Sequence, residues 1–221
     1  MHILITGAGR GLGRSLASVS ARSGHSVSIC SRTAPAVALE HGVRHWFADV
    51  ADAGSIAAFV LGAVSVHGAI DVFVNNAAVL GGKGRIEDAN ANDVRSTIEI
   101  NVTGAFLALA AVLPHVRRPG ARLLHLSSYV GRVALPRYGA YAVSKFAMEG
   151  LARLAAAENP DLISIAVDPG MVATDMLTAA LEGQSAVAGA APASAESAAL
   201  RLLALSERLQ LADSGATLTL D

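Results

Sequence analysis

The chain has 221 residues, room for one well-buried domain and hardly enough for two. With 52% hydrophobic and 16% charged residues it is excluded from the disordered class and suits a compact fold around a large buried sheet. A net charge of −1 and a pI near 6.7 give no support to a nucleic-acid or anionic-membrane partner.

The first predicted strand is "HILIT" (2–6), running into "TGAGRGLG" (6–13). Gly7, Gly11 and Gly13, with Arg10 and Leu12 among them, fall between that strand and a helix over 11–23. Glycine lets the backbone approach a pyrophosphate, and a helix N-terminus offers free N–H groups and a positive dipole end. The second strand, "SVSIC" (26–30), ends in "CSRT". An NAD enzyme carries an acidic residue here to hold the ribose 2′-hydroxyl. This chain has Ser31 and then Arg32 instead. A guanidinium pairs with a 2′-phosphate that a carboxylate would repel, and Arg10 can approach the same group, so NADP(H) is expected over NAD(H). The following "TAPAVALEHG" holds at most a short helix.

The third strand, "RHWFA" (44–48), leads into "ADV", placing Asp49 to accept from an adenine amino group and Val50 to lie against the ring. A helix over 53–67 separates it from "DVFVN" (71–75), whose end "NNAA" (75–78) carries Asn75 and Ala77. A long helix is predicted over 88–113. The fifth strand, "RLLHLS" (122–127), opens into "LSSYVG", with Ser127 and Ser128. In the helix over 141–157, Tyr141 and Lys145 lie four residues apart and share a face. An ammonium beside a phenol favours the phenolate, so a lowered tyrosine pKa is expected. The sixth strand, "ISIAV" (163–167), ends in "DPGMVAT", giving Pro169, Gly170, Val172 and Thr174. A small-residue stretch (182–199), a helix (194–209) and a last strand "TLTL" (217–220) complete the chain. Continuous apolar strands separated by helices predict a single-domain, Rossmann-type doubly wound α/β fold over residues 1–221, with about seven parallel strands and helices on both faces. Such sheets bind ligands at the carboxyl ends of their strands, where these residues fall.

Taken together, "TGAGRGLG", "DV" (49–50), "NNAA", "NVTG" (101–104), "SS" (127–128), "YAVSK" (141–145) and "PGMVAT" (169–174) resemble the short-chain dehydrogenases/reductases, in that family's order and over nearly the whole chain. The resemblance implies a catalytic set of Asn101, Ser128, Tyr141 and Lys145. Tyr141 would be the acid in carbonyl reduction and the base in alcohol oxidation. Lys145 would hold the nicotinamide ribose and lower the tyrosine pKa. Ser128, thirteen residues before Tyr141, would hydrogen-bond the substrate oxygen, and Asn101 would help hold a water relaying protons to Lys145. Thr174 and the backbone around Val172 would fix the carboxamide. Ser127, next on the strand, points to the opposite face. Tyr138 falls outside the helix, and Tyr129 lines the loop after the fifth strand. Three features depart from the family: Ala78 stands where glycine is usual, the segment after Thr174 is short, and the chain stops at "LTLD".

Cys30 is the only cysteine, which excludes an internal disulfide and suits a reducing compartment. The longest apolar run, "AFLALAAVL" (105–113), is about half a membrane span and stops at Pro114. No basic leader precedes the first strand, and a cytoplasmic location is expected. His41 and His45 are four apart but straddle Gly42, so no metal site is expected. Arg117, Arg118 and Arg122 read as a solvated helix end. The expected activity is reduction of a ketone or aldehyde with NADPH, or the reverse, on a small and largely uncharged substrate covered by residues 175–193. The alternatives are a non-catalytic NADP(H)-binding sensor or scaffold and an NAD-linked dehydrogenase. The resemblance also implies a homodimer or homotetramer pairing through helices 101–113 and 141–157.

Overall fold

The apolar runs pair side by side. In the computed structural model, which describes residues 1–35, 38–182 and 191–220, seven strands form one parallel sheet. They are β1 (His2–Thr6), β2 (Ser26–Ser31), β3 (Val43–Phe47), β4 (Val72–Asn75), β5 (Arg122–Leu126), β6 (Ile163–Asp168) and β7 (Thr217–Thr219), in spatial order 3-2-1-4-5-6-7. Ile3 lies opposite both Val27 and Val72, and Leu124 opposite both Val74 and Ile165. Strand alternation therefore sends Ile3, Ile5, Val27, Ile29, Leu124 and Ile165 to one face, under α1 (Gly11–Arg22) and α7 (Ala195–Arg208). Leu4, Cys30, Phe73 and Leu123 go to the other, under α2 (Ala53–His67) and a helix at 104–112. With both faces covered, the central strands bury both sides, which is why runs such as "HILIT" and "DVFVN" read as nearly continuous and apolar.

The predicted helix over 88–113 is a composite. Asn90 caps α3 (Ala91–Ile98), its Oδ1 accepting from the Asn92 and Asp93 N–H groups at 2.9 and 3.3 Å. A π-helical turn, Glu99–Thr103, then inserts before α4 (Gly104–Val112). The run Ala91–His115 is continuous for 25 residues and, by length and composition, apolar enough to cross a bilayer, which an apolar stretch ending at Pro114 did not suggest. Only its second part packs in the core, with Ala105, Ala108, Leu109 and Val112 buried, while α3 is mostly exposed.

The helix α5 (Gly139–Glu158) begins two residues before Tyr141, with Tyr138 at its N-cap position. After β6, Val172–Ala173 pairs in parallel with Ala193–Ser194, and α6 (Asp175–Leu181) leaves from Thr174. Of the expected substrate cover at 175–193, residues 183–190 lie outside the described residues, as do 36 and 37 of the segment after β2, whose described residues form no helix.

Candidate active site

The strand order reverses between β1 and β4, which opens a crevice at their carboxyl ends. Gly7 and Gly11 take φ of +66° and +60° there. A Cβ on Gly7 would stand 2.6 Å from the Ala77 Cα, so the glycine turn and the "NNAA" turn meet backbone to backbone. Asn76 joins them: its Nδ2 donates to the Thr6 and Gly7 carbonyls at 2.8 and 3.0 Å. Thr6 Oγ1 accepts from the Asn76 and Ala77 N–H groups in return. Gly13 lies beneath the same amide, and Leu12 is buried against the sheet. At the start of α1, Arg10 is extended and makes no side-chain cap bond, and the first turn holds no acid. The first N–H groups of the helix thus keep their donor capacity and the positive dipole end is uncompensated, which fits a pyrophosphate.

The facing wall is the loop after β6. Gly170 has φ +71°, and its N–H donates to Asp168 Oδ1 at 3.0 Å. Thr174 accepts from the Leu177 N–H and donates to the Val172 carbonyl. Its methyl lies 3.6 Å from where a Gly11 Cβ would be, so this loop, entered through Pro169, closes directly over the glycine turn. Arg10 reaches across the mouth to Asp175 at 3.5 Å, both side chains being more than four-fifths exposed.

At the outer end of the crevice Ser31 closes β2 and Arg32 follows it. Arg32 is exposed, and Ser31 Oγ donates to the Thr33 carbonyl at 2.7 Å. Asp49 Oδ1 accepts from the Ala51 N–H, and Val50 is buried against Gly104, whose missing Cβ leaves it room. The side chain of Asn75 turns away from the crevice, which leaves only its backbone to meet a coenzyme. Alternation places it with Phe73 on the α4 side, where Nδ2 donates to the Ala105 carbonyl at 2.9 Å and braces the helix.

Beyond β5 the two serines part as expected. Ser127 turns inward and donates to Glu149 Oε1 at 3.1 Å. Glu149, also buried, accepts at Oε2 from Thr217 Oγ1 at 3.2 Å and from Arg153 at 3.4 Å. Ser128 stays on the open side beside the Tyr141 side chain, near enough to pull the phenol's pKa down. Tyr129, just beyond it, is 54% exposed. One turn along α5, Lys145 Nζ lies 5.4 Å from the Tyr141 ring centroid and donates to the Leu126 carbonyl at 2.7 Å. Asn101 occupies the π-turn: Oδ1 accepts from the Val79 N–H at 2.8 Å, and Nδ2 donates to the Val79 carbonyl at 2.8 Å and to Ser144 Oγ at 3.0 Å.

The electrostatics differ from expectation in one respect. Burial pushes the Tyr141 phenol up to about 12, opposed by Ser128 beside it and reinforced by Asp168 and Tyr138. The lowering expected from Lys145 is not among these influences; desolvation acts on both partners instead. It brings Lys145 itself down to about 8, with the Asp168 carboxylate pulling the other way. Asp168 is buried and paired with Arg132 at 2.6 Å, and Arg132 also reaches Thr219 Oγ1.

Sequence reading passed over Asn76, Asp168, Arg132, Glu149 and Lys83. The last donates to the Ala180 and Glu182 carbonyls at 2.5 and 2.9 Å and so holds the end of α6, beside the Tyr138 ring. The second asparagine of "NNAA" was an available signal for Asn76. Apart from the local Glu149–Arg153 pair and the Gly170 N–H on Asp168, the side chains of the others find partners from 22 to 99 residues away and left no local pattern. Among the described residues no three His, Cys, Asp or Glu side chains gather as metal ligands.

A doubly wound sheet with a glycine turn at its switch point, and a Ser–Tyr–Lys group beside it, defines the architecture of a dinucleotide-dependent oxidoreductase. The sequence profile of the short chain dehydrogenase family matches residues 1–185, and the chain belongs to that family, whose oxidoreductases bind a nicotinamide coenzyme. It is 35% identical to trans-4-hydroxycyclohexanecarboxylate dehydrogenase of Sinomonas cyclohexanicum, over 78% of this chain and 73% of that one. It is 32% identical to the NADPH-dependent pterin aldehyde reductase of Arabidopsis thaliana, over 98% and 92%. Among solved structures, the fold is like that of 3-ketoacyl-(acyl-carrier-protein) reductase from Brucella melitensis complexed with NADH (TM-score 0.89, 22% identity, 100% and 96% covered). It is also like that of aldohexose dehydrogenase from Thermoplasma acidophilum (TM-score 0.87, 24% identity, 100% and 92% covered).

Proposed function

We propose that this oxidoreductase reduces a ketone or aldehyde to the alcohol with NADPH, or runs the reverse reaction, on a small and largely uncharged substrate. The observation that carries the reading is the junction of Ser128, Tyr141 and Lys145 at the end of β5, beside a crevice walled by the glycine turn and the Thr174 loop. The coenzyme, when bound, supplies or accepts the hydride. The glycine turn and the open N-terminus of α1 would hold its pyrophosphate, Lys145 its ribose, and Thr174 with Val172 its carboxamide. The phenol of Tyr141, pushed up to about 12, keeps its proton at neutral pH, as a general acid must until an alkoxide forms beside it. Ser128 donates to the same developing charge. Lys145, at about 8, sits close enough to neutrality to return a proton to Tyr141.

The 2′-phosphate reading rests on Ser31, Arg32 and Arg10 standing where an NAD enzyme has an acid. The pterin aldehyde reductase, which is named as NADPH-dependent, supports it. A homodimer, or a tetramer built from it, is supported by the α4–α5 face. Phe106, Val143, Phe146 and Leu154 are each 46–60% exposed there, and a groove of about 170 Å³ runs between the helices. A cytoplasmic location is in keeping with the buried free Cys30. The test is turnover of a carbonyl panel with NADPH and with NADH, alongside Tyr141→Phe. The variant should lose at least about 100-fold in kcat while still binding NADPH. An unchanged rate would remove Tyr141 from its role, and a preference for NADH would remove the phosphate reading.

A further inference from the structure

His45 is the histidine left over when a metal site is set aside, and it does not sit idle. Its Nε2 lies 2.8 Å from Ser31 Oγ, across the β2–β3 pair. Its ring meets Phe47 edge to face, with centroids 4.9 Å apart and planes at 83°, which fixes the plane of the imidazole. Counting protons settles the direction of the contact. The Ser31 hydroxyl has one proton and donates it to the Thr33 carbonyl at 2.7 Å, so the proton between the two side chains belongs to His45 Nε2. Burial lowers the His45 pKa, so at neutral pH the ring is the uncharged Nε2–H tautomer and acts as a donor rather than as a charge.

Ser31 is also the side chain directly beneath the glycine turn, for a Cβ on Gly9 would stand 2.9 Å from its Oγ. The hydroxyl thus faces the place where Arg10 and Arg32 would meet a phosphate. Resting on the NADP(H) reading above, we propose that His45 is a positioning residue for coenzyme choice: it holds Ser31 Oγ from behind, so that the serine proton turns from the Thr33 carbonyl to the 2′-phosphate of the adenosine ribose. A hydroxyl that accepts from His45 is a better donor to the phosphate, because hydrogen bonds in a chain polarise one another. A coenzyme lacking that phosphate takes nothing from the arrangement.

The test is direct binding, by coenzyme fluorescence and by calorimetry, of NADPH, NADH and adenosine 2′,5′-bisphosphate against 5′-AMP. The proteins are the wild type, His45→Leu, His45→Gln, Ser31→Ala and the Ser31→Ala/His45→Leu double variant. His45→Leu should weaken NADPH and the bisphosphate about three- to tenfold, leaving NADH and 5′-AMP unchanged. His45→Gln, which keeps an N–H donor, should recover most of the loss. In the Ser31→Ala background His45→Leu should have no further effect, since the two act through one contact. Equal weakening of NADPH and NADH, or a His45→Leu effect that persists without Ser31, overturns the role. A wild type that holds NADH as tightly as NADPH overturns the phosphate site itself, and this role with it. A wild type that prefers NADPH while His45→Leu keeps the whole preference removes His45 alone.

Discussion

Replacing Asn101 by alanine tests how the π-turn serves the site. The side chain engages the Val79 N–H and carbonyl together, each at 2.8 Å, and reaches Ser144 at 3.0 Å, one residue from Lys145. Asn101→Ala leaves a donor and an acceptor of the Val79 backbone without partners. A fully buried orphan costs about 1–3 kcal/mol, but Val79 is only half-buried and water can reach it, so the lower end applies to each group. The sum is about 2 kcal/mol, and a chain of this length should lose about 4–8 °C in Tm. Hydrogen exchange at the Val79 amide should accelerate in the same variant, and turnover should fall because the loop after β4 borders the crevice. Asn101→Asp separates the contributions: it keeps the acceptor for the Val79 N–H but sets a carboxylate oxygen against the Val79 carbonyl, and should be no better than alanine. A Tm within about 1 °C of wild type for Asn101→Ala, with unchanged exchange at Val79, would refute the reasoning.

Gly7→Ala and Gly150→Ala should move in opposite directions. At Gly7 the new methyl meets the Ala77 backbone at 2.6 Å with φ at +66°, and about 2–4 kcal/mol should be lost along with NADPH binding. Gly150 lies on the Phe146–Leu154 face proposed to pair and has nothing within 4 Å in its own chain, and alanine there should add about 0.5–1 kcal/mol to the folding of a single chain. Thermal melting of both decides it, and like behaviour would sink the argument. For Lys145 the sign is set by a folded pKa of about 8, below the ordinary lysine value of 10.5. The unfolded chain binds more protons between those values, so the penalty of the buried ammonium is full below pH 8 and is relieved as pH rises through that window. Lys145→Met should therefore exceed wild type in the unfolding free energy from urea titration at pH 7, by at most about 3 kcal/mol, with the gap narrowing toward pH 10. A gap independent of pH would show that the ammonium is not what burial penalises.

What the sequence made legible was whatever repeats locally. Strand runs were readable because both faces of a parallel sheet are covered, and Ser128 was separable from Ser127 because strand alternation sends them to opposite sides. Alternation was equally available for Asn75, which is in phase with Phe73 and so had to face α4, but the motif drew attention to the crevice instead. The composite helix could not be read, since a π-turn inserts one residue without changing composition. The Tyr141 pKa escaped for a different reason. A four-residue spacing reports the nearby charge but not how much water the fold removes from both groups, and here desolvation is the larger effect.

The buried polar groups that sequence reading missed share one geometric consequence. The functional face of α5 presents Tyr141, Lys145 and Glu149 at four-residue intervals, with Ser144 beside them. Each meets a different part of the sheet or its loops: Tyr141 meets Ser128, Lys145 the Leu126 carbonyl, Glu149 Ser127 and Thr217, and Ser144 Asn101. Apolar packing alone would not hold this helix in one rotation, because its alanine-rich buried side offers few distinct knobs. A slip of one residue would turn the face by about 100° and break all of these contacts at once. The polar set thus fixes the azimuth of the helix that carries the phenol and the ammonium, and in this chain the specificity of the site lies in that registration more than in the hydrophobic core beneath it.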